Sequence, residues 1–401
     1  MIAVSGLGLV TPAGIGAGAT WQRLLTGRPT ATRDPDLDGL PVDFSCRIPD
    51  YDILVPPRGR WRLDRFTVAA LAAAREAVAD ARLDPGDWQP DRVGVVTGTG
   101  TGSMERYLAE FEHLRAGRLT LMSPMAITRS ISNMVPAEIA LALGARGPNF
   151  TVSTACASGA TAISVARDLI RSGTCDIVIT GGSESVRSRI PAACFHRMGA
   201  LSTRRDDPAG ACRPFHAERD GFVLSEGAAV LILERDLHAR ARGVQPYAYL
   251  AGSASTCDSH HFAAPHPDGD GLATAMTAAL REAGLGPGDV GHVNAHGTGT
   301  RLNDAAEHRA LHQVFTDPPP VTSLKGTIGH AVGASAAIEA ACTALSLRHQ
   351  VIPPTANLDA QDPGIDLDVV AGQARAARMS SAVSSSSAFG GQNTVLVFHR
   401  A

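Results

Sequence analysis

"NFTVSTACASGATAISVARDLIRSG", residues 149–173, is the stretch whose reading decides the fold. NFTVSTA is a short apolar run of strand character. Ala162, Ile163, Ala166, Leu169 and Ile170 then recur at helical spacing, and Gly173 follows as a helix-ending residue. A buried strand that turns straight into an amphipathic helix is the building block of an α/β protein. Cys156 lies at the turn, where the unpaired N–H groups of a helix start favour an anion. That setting is expected to lower the thiol pKa, to make Cys156 a nucleophile and to offer N–H groups to an oxyanion. The other cysteines (Cys46, Cys175, Cys194, Cys212, Cys257 and Cys342) are read as packing residues.

Outward from this unit the same alternation continues. IAVSGLGLV, RVGVVTGTG, CDIVITGG and AAVLILE read as strands, with the helical pattern DRFTVAALAAAREAVADA between the first two. After about residue 245 the pattern resumes, with PYAYLAGSAS, VGHVNAHG and NTVLVFHR as strands and GLATAMTAALREAG and GASAAIEAACTALSLRHQ as helices. A largely parallel sheet is expected. GFVLSEGAAVLILE and AFGGQNTVLVF share a glycine-rich lead into an apolar strand, a faint sign of a repeated half. The Ser-rich run 380–387 is expected to be a loop. GLG at 6–8 and TGTGTG at 97–102 lack the full dinucleotide fingerprint and read as turns after strands.

Composition narrows the function classes. The 401 residues are 44% hydrophobic and 19% charged, a globular balance. A net charge of −3 offers no global attraction to nucleic acid or to an anionic membrane. No apolar run approaches the ~20 residues of a membrane span. MIAVSGLGLVTPAG has no basic leader, so no signal peptide is expected. Seven scattered cysteines without a CxxC pair point to reduced thiols in a cytoplasm.

Two histidines raise the standing of Cys156. His296 in VNAHGTGT follows a strand, and His330 in SLKGTIGHAVGASAAIEA stands at the start of a helix. Loops at strand C-termini are where parallel sheets meet ligands. A thiol with two imidazoles fits acyl-thioester chemistry, the imidazoles stabilising charge on a carbonyl oxygen. No carboxylate lies at ligand spacing beside the histidines, so no metal is expected. Asp304 and Glu307 have the spacing of a helix capping box. Lys325 is expected to support the site, paired with a carboxylate such as Glu307.

These residues lie in a long series of motifs: VSGLGLVTPAG, LDRFTVAAL, SPMAITRSISNMVPAEIA, GPNFTVSTACASGATAI, RPFHAERDGFVLSEGAAVLILE, NAHGTGTRLNDAAE, SLKGTIGHAVGASAAIEA and FGGQNTVLVF. Over its whole length the chain resembles the elongating β-ketoacyl-acyl-carrier-protein synthases of fatty-acid and type II polyketide synthesis, in the thiolase superfamily. The resemblance implies a five-layered αβαβα fold of two similar halves, divided here at 1–245 and 246–401. It implies Cys156 as nucleophile, His296 and His330 as the decarboxylation pair, and Lys325 with Glu307 as a supporting ion pair. Thr298 and Thr300 correspond to the residues that meet the pantetheine arm. Phe389 corresponds to the gating phenylalanine, its N–H joining that of Cys156 in an oxyanion hole. No cofactor is implied. An acyl carrier protein is, and so is a second subunit: an identical one, or a ketosynthase-like chain-length subunit.

The alternatives are a non-catalytic chain-length subunit, which the retained Cys156, His296 and His330 speak against, and a degradative thiolase. The latter would carry a second catalytic cysteine near the C-terminus, and none follows Cys342. SSSSAFGG departs from the family pattern in Ser387 and Ala388, which puts substrate range in question. The stretch 384–391 is expected to gate the acyl pocket. An acidic carrier needs a local basic patch, expected at Arg58, Arg60, Arg62 and Arg204.

Overall fold

The computed structural model describes residues 1–54 and 63–401. Ten strands share one hydrogen-bonded path: β1 (Ile2–Thr11), β2 (Val93–Gly98), β3 (Asn149–Val152), β4 (Ile177–Ser185), β5 (Glu226–Arg235), β6 (Ala248–Cys257), β7 (Val290–Asn294), β8 (Val321–Thr322), β9 (Ser381–Ala388) and β10 (Gln392–Arg400). The order across the path is β8-β7-β9-β10-β6-β1-β5-β4-β2-β3, with the short strand Gly14–Ile15 hooked onto β1. The path is two runs of five. Numbered within its own run, each has the order 3-2-4-5-1, and the first strands meet antiparallel with Ile2 opposite Leu250. The strand directions match as well. In each run the second strand is parallel to the third and fourth, and the fifth is antiparallel to both neighbours. The sheet is therefore mixed, not largely parallel as expected. Tight hairpins are antiparallel by construction, and Gly390 and Gly391, at φ 83° and 71°, close one between β9 and β10.

Helices complete five layers. α1 (Arg65–Asp80) covers the outer face of the first run, against β1, β4 and β5. α2 (Ser158–Arg171) and α5 (Ser335–His349) pack on each other in the middle, and each touches strands of both runs. α3 (Asp270–Ala283), with α4 (Arg301–Val314) packed against it, covers the outer face of the second run. The middle position explains α5, which is buried from Ser335 through Leu347 and has no polar stripe. A helix that is apolar all round belongs inside.

Two local readings change. Gly6 and Gly8 lie within β1, not in a turn. The backbone of α1 lies directly on that strand, and a Cβ at Gly8 would stand 1.9 Å from the Ala73 carbonyl oxygen. The Ser-rich run is strand β9, with residues 381–386 buried. Small hydroxyl side chains fit there because α5 packs on this strand.

Candidate active site

β3 ends at Val152, and the chain makes a tight turn at Ala155–Ala157 before α2 begins at Ser158. Ala155 takes φ 46°, a strained value for a residue with a Cβ. Ser158 fixes the turn, accepting the Thr154 N–H at 2.9 Å and donating to the Ala155 carbonyl at 2.6 Å. Cys156 is thereby held at the mouth of α2, 6% exposed, among apolar residues that include Phe222 and Val332. Here the structure overturns the expected low thiol pKa. Burial pushes Cys156 up to about 12, although the charge of Lys325 and the Phe389 N–H both pull it down. The free thiol therefore keeps its proton at neutral pH.

The second run brings the imidazoles. β7 ends at Asn294, and His296 is held two residues beyond it, its backbone N–H donating to Glu307 at 2.7 Å. His330 precedes the turn into α5 and is pinned by its own N–H on the Val223 carbonyl at 2.8 Å. Its Nε2 lies 3.2 Å from Cys156 Sγ. The rings of His296 and His330 are 5.4 Å apart and nearly perpendicular, and Phe222 packs edge-on against His330. Burial, then the charge of Lys325, hold both histidines well below their ordinary pKa, so both imidazoles are neutral. Ligand atoms of Cys156, His296 and His330 fall within 4.8 Å of one another.

Lys325 supplies orientation. Its ammonium donates to the His296 carbonyl and to Glu339, and stands 3.4 Å from His296 Nδ1. An ammonium has only protons to offer, so Nδ1 must accept and His296 carries its proton on Nε2. The expected Lys325–Glu307 pair is thus corrected: the partner of Lys325 is Glu339. Glu307 is already occupied by the N–H groups of His296 and Gly297, each at 2.7 Å, and by Ser385 Oγ at 3.1 Å. Nor do Asp304 and Glu307 cap α4. Thr300 is its N-cap, its Oγ1 accepting from Asn303 at 3.4 Å, while Asp304 accepts from Phe215 N at 2.8 Å and Gly299 N at 3.2 Å.

A cavity of about 550 Å³ runs from Cys156, His296 and His330 past Thr298 and Thr300 to the surface near Phe262 and Leu302. The two threonine hydroxyls share a 2.9 Å hydrogen bond on its wall. Phe389 also lines it, with its ring 6.1 Å from that of Phe195. Ser387 faces this cavity, whereas residues 384–386 are buried in β9. Of the expected gate stretch 384–391, residues 384–386 are thus fixed in the sheet, and Ser387, Ala388 and Phe389 line the cavity. Ala388 is paired in the strand opposite Gln392, and the positive φ values of this stretch are those of Gly390 and Gly391. Of the expected basic patch, Arg58, Arg60 and Arg62 lie outside the described residues. Arg204 is partly exposed and 3.5 Å from Glu218.

The sequence reading missed Glu339, Ser335, Phe222 and Phe195. One signal was available: ACAS at 155–158 and VGAS at 332–335 share the A-S that ends each turn.

Profiles of the beta-ketoacyl synthase N-terminal and C-terminal domains match residues 1–239 and 247–359. The chain belongs to the beta-ketoacyl synthase family. The 3-oxoacyl-[acyl-carrier-protein] synthase 2 of Staphylococcus aureus (strain N315) is 38% identical to this ketosynthase, covering 100% of the chain and 98% of that protein. The protein of the same name from Synechocystis sp. is 39% identical with the same coverage. Among solved structures, the ishigamide ketosynthase/chain length factor superposes with TM-score 0.94 at 33% identity, covering 100% of this chain and 99% of that one. A type II polyketide synthase ketosynthase, solved with its acyl-carrier protein and bound to a hexaketide, gives TM-score 0.91 at 30% identity, with coverage of 100% and 99%. These ketosynthases share the five-layered fold described above.

Proposed function

We propose that the chain performs a decarboxylative Claisen condensation, joining an acyl group held on Cys156 to malonyl-acyl carrier protein and giving β-ketoacyl-acyl carrier protein. One observation carries the assignment of roles: a buried thiol 3.2 Å from a neutral imidazole, beside a second neutral imidazole, at the inner end of a cavity open to solvent.

The cavity admits a pantetheine arm, with Thr298 and Thr300 placed to hydrogen-bond its amides. Cys156 Sγ attacks the acyl thioester as its proton leaves, and the N-terminus of α2 stabilises the charge growing on sulfur. The carrier thiol departs protonated. Malonyl carrier protein then takes its place. The Nε2–H of His296 donates to the thioester oxygen, and His330 donates beside it, so the enolate formed as carbon dioxide leaves is met by two hydrogen bonds. The enolate carbon attacks the acyl carbonyl on Cys156. The N–H groups of Cys156 and Phe389 hold the resulting oxyanion, and its collapse expels the Cys156 thiolate. No redox or nucleotide group enters this sequence.

The non-catalytic chain-length reading has less support, because such a subunit has no use for a thiol–imidazole contact. The division at 1–245 and 246–401 fits the passage from β5 to β6. A second subunit, identical or of chain-length type, fits the edge strand β3, which has no neighbour on its outer side among the described residues. The exposed Arg301, which lines the cavity, and the partly exposed Arg204 are the basic residues offered to an acidic carrier protein. No described helix is long and apolar enough to cross a membrane, and all seven cysteines are free, which suits the cytoplasm.

The test is intact-mass analysis after exposure to a panel of acyl carrier proteins. An acyl adduct located on Cys156, and absent from Cys156→Ala, supports the reading. An adduct on another cysteine, with Cys156→Ala still condensing, overturns it.

A further inference from the structure

The reaction makes opposite demands on His330. During acyl transfer the thiol must lose a proton, and the base within reach is His330 Nε2, 3.2 Å from Sγ, which then needs a free lone pair. During decarboxylation the same nitrogen must carry a proton to donate to the thioester oxygen. His296 has no such freedom, because the Lys325 ammonium can only donate to its Nδ1.

The group facing His330 Nδ1 is different in kind. Ser335 Oγ lies 2.9 Å from it, and both side chains are buried. A hydroxyl can accept or donate. Among the described residues Ser335 Oγ has one other partner, the Ala331 N–H at 2.9 Å, from which it accepts. One lone pair and the hydroxyl proton are left over, and both are available to the imidazole. Ser158, in the same place in the other turn, has no such freedom. It accepts the matching N–H from Thr154, but its proton is committed to the Ala155 carbonyl at 2.6 Å.

We infer that Ser335 is a positioning residue that lets His330 exchange tautomers between the two half-reactions. In the free enzyme His330 carries its proton on Nδ1 and donates it to Ser335 Oγ, leaving Nε2 to take the Cys156 proton. As Sγ bonds to the acyl carbon and the carrier C–S bond breaks, Nε2–H returns that proton to the departing carrier sulfur, so the step balances. With Cys156 acylated, no thiol faces Nε2. Proton exchange with water in the cavity places the proton on Nε2, and the Ser335 hydroxyl turns to donate to Nδ1. Ser335 keeps the Ala331 N–H throughout, so the change needs a hydroxyl rotation and no backbone motion.

The inference rests on the condensation reading, and its test separates the two. Histidine is labelled with nitrogen-15, and the His330 ring signals are compared in the free enzyme and after blocking Cys156 with iodoacetamide, which needs no knowledge of the acyl chain. The expected result is Nδ1–H in the free enzyme and Nε2–H in the blocked one. The same tautomer in both overturns the inference and leaves the condensation reading standing. In Ser335→Ala, Nδ1–H loses its acceptor, so His330 stays Nε2–H in both states. Acyl loading onto Cys156 then slows on the order of 100-fold, while malonyl decarboxylation changes by less than a few-fold. Ser335→Thr restores loading. Equal losses in the two half-reactions would mark a purely structural role and overturn the inference. The melting temperature of Ser158→Ala, which loses the matching cap, gauges the structural cost.

Discussion

Ala155 at φ 46° and Val332 at φ 42° occupy the same place in two turns, one ahead of α2 and one ahead of α5. In each, a serine hydroxyl at the start of the helix accepts an N–H from four residues earlier, at 2.9 Å. The next residue is Cys156 in one and Gly333 in the other. A side chain on Gly333 would meet the Gly100 nitrogen at 2.4 Å and the Glu184 carboxylate at 2.9 Å, whereas Cys156 opens into the cavity. Two positions before each turn the roles reverse: Ser153 is exposed in the first, and His330 is buried against the thiol in the second. A duplicated turn thus gives the nucleophile from one copy and its imidazole from the other. The backbone positions both, and the surroundings of each turn decide which chemistry it can hold.

The strongest way to break this comparison is to empty the first turn. Cys156→Ala is expected to abolish condensation while the far-ultraviolet circular dichroism stays unchanged. Some malonyl decarboxylation persists, read as carbon dioxide release, because that step uses the second copy and His296. Conversely, His330→Ala and His296→Ala should each lower decarboxylation by ~10²–10⁴, with less effect on a stoichiometric thiol titration of Cys156. Filling the second turn tests its crowding. Gly333→Ala is expected to cost about 1–3 kcal/mol of stability, seen as a lower urea midpoint at constant slope. Acidity probes the support of His296. Both imidazoles are neutral well below their usual range, so they give no acid limb near their ordinary pKa. Burial raises the Glu339 carboxyl against the pull of Lys325. As pH falls through that raised value Glu339 takes a proton, and Lys325 loses its counter-ion. The acid limb of kcat/KM is expected above the ordinary carboxylate range, and Glu339→Gln removes it. The smallest effect is expected at Ser387. Ser387→Phe narrows the cavity wall and shifts selectivity between short and long acyl carriers by several-fold, or about 1 kcal/mol. Ala388→Gly leaves that ratio unchanged, because Ala388 is held in strand β9.

Most of this arrangement was legible in the residues. The strand–turn–helix around Cys156 was, because the period of apolar residues changes within a few positions from that of a strand to that of a helix. The meeting of Cys156 with His296 and His330 came from family motifs, since no local rule brings residues that far apart in sequence together. What failed did so for tertiary reasons. Lys325 was given Glu307 as its partner because spacing could not show that Glu307 is taken up by two backbone N–H groups. The Ser-rich run read as a loop because its composition hides a strand buried under α5. Gly6 and Gly8 read as turns because the close approach of α1 to their strand leaves no trace in the local pattern. The thiol pKa went the wrong way because a helix start was visible in the sequence and the apolar enclosure was not.

The middle layer also bears on how the chain is made. α2 is complete at residue 171, but the helix it packs against ends at residue 349. At ~5–20 residues per second of synthesis, α2 waits on the order of 10–40 s for its partner. During that interval the inner face of the first run is covered by α2 alone, and α2 has no helix packed on its far side. The nascent chain is therefore most open to aggregation after its first half has emerged, and it gains protection only when α5 closes the centre.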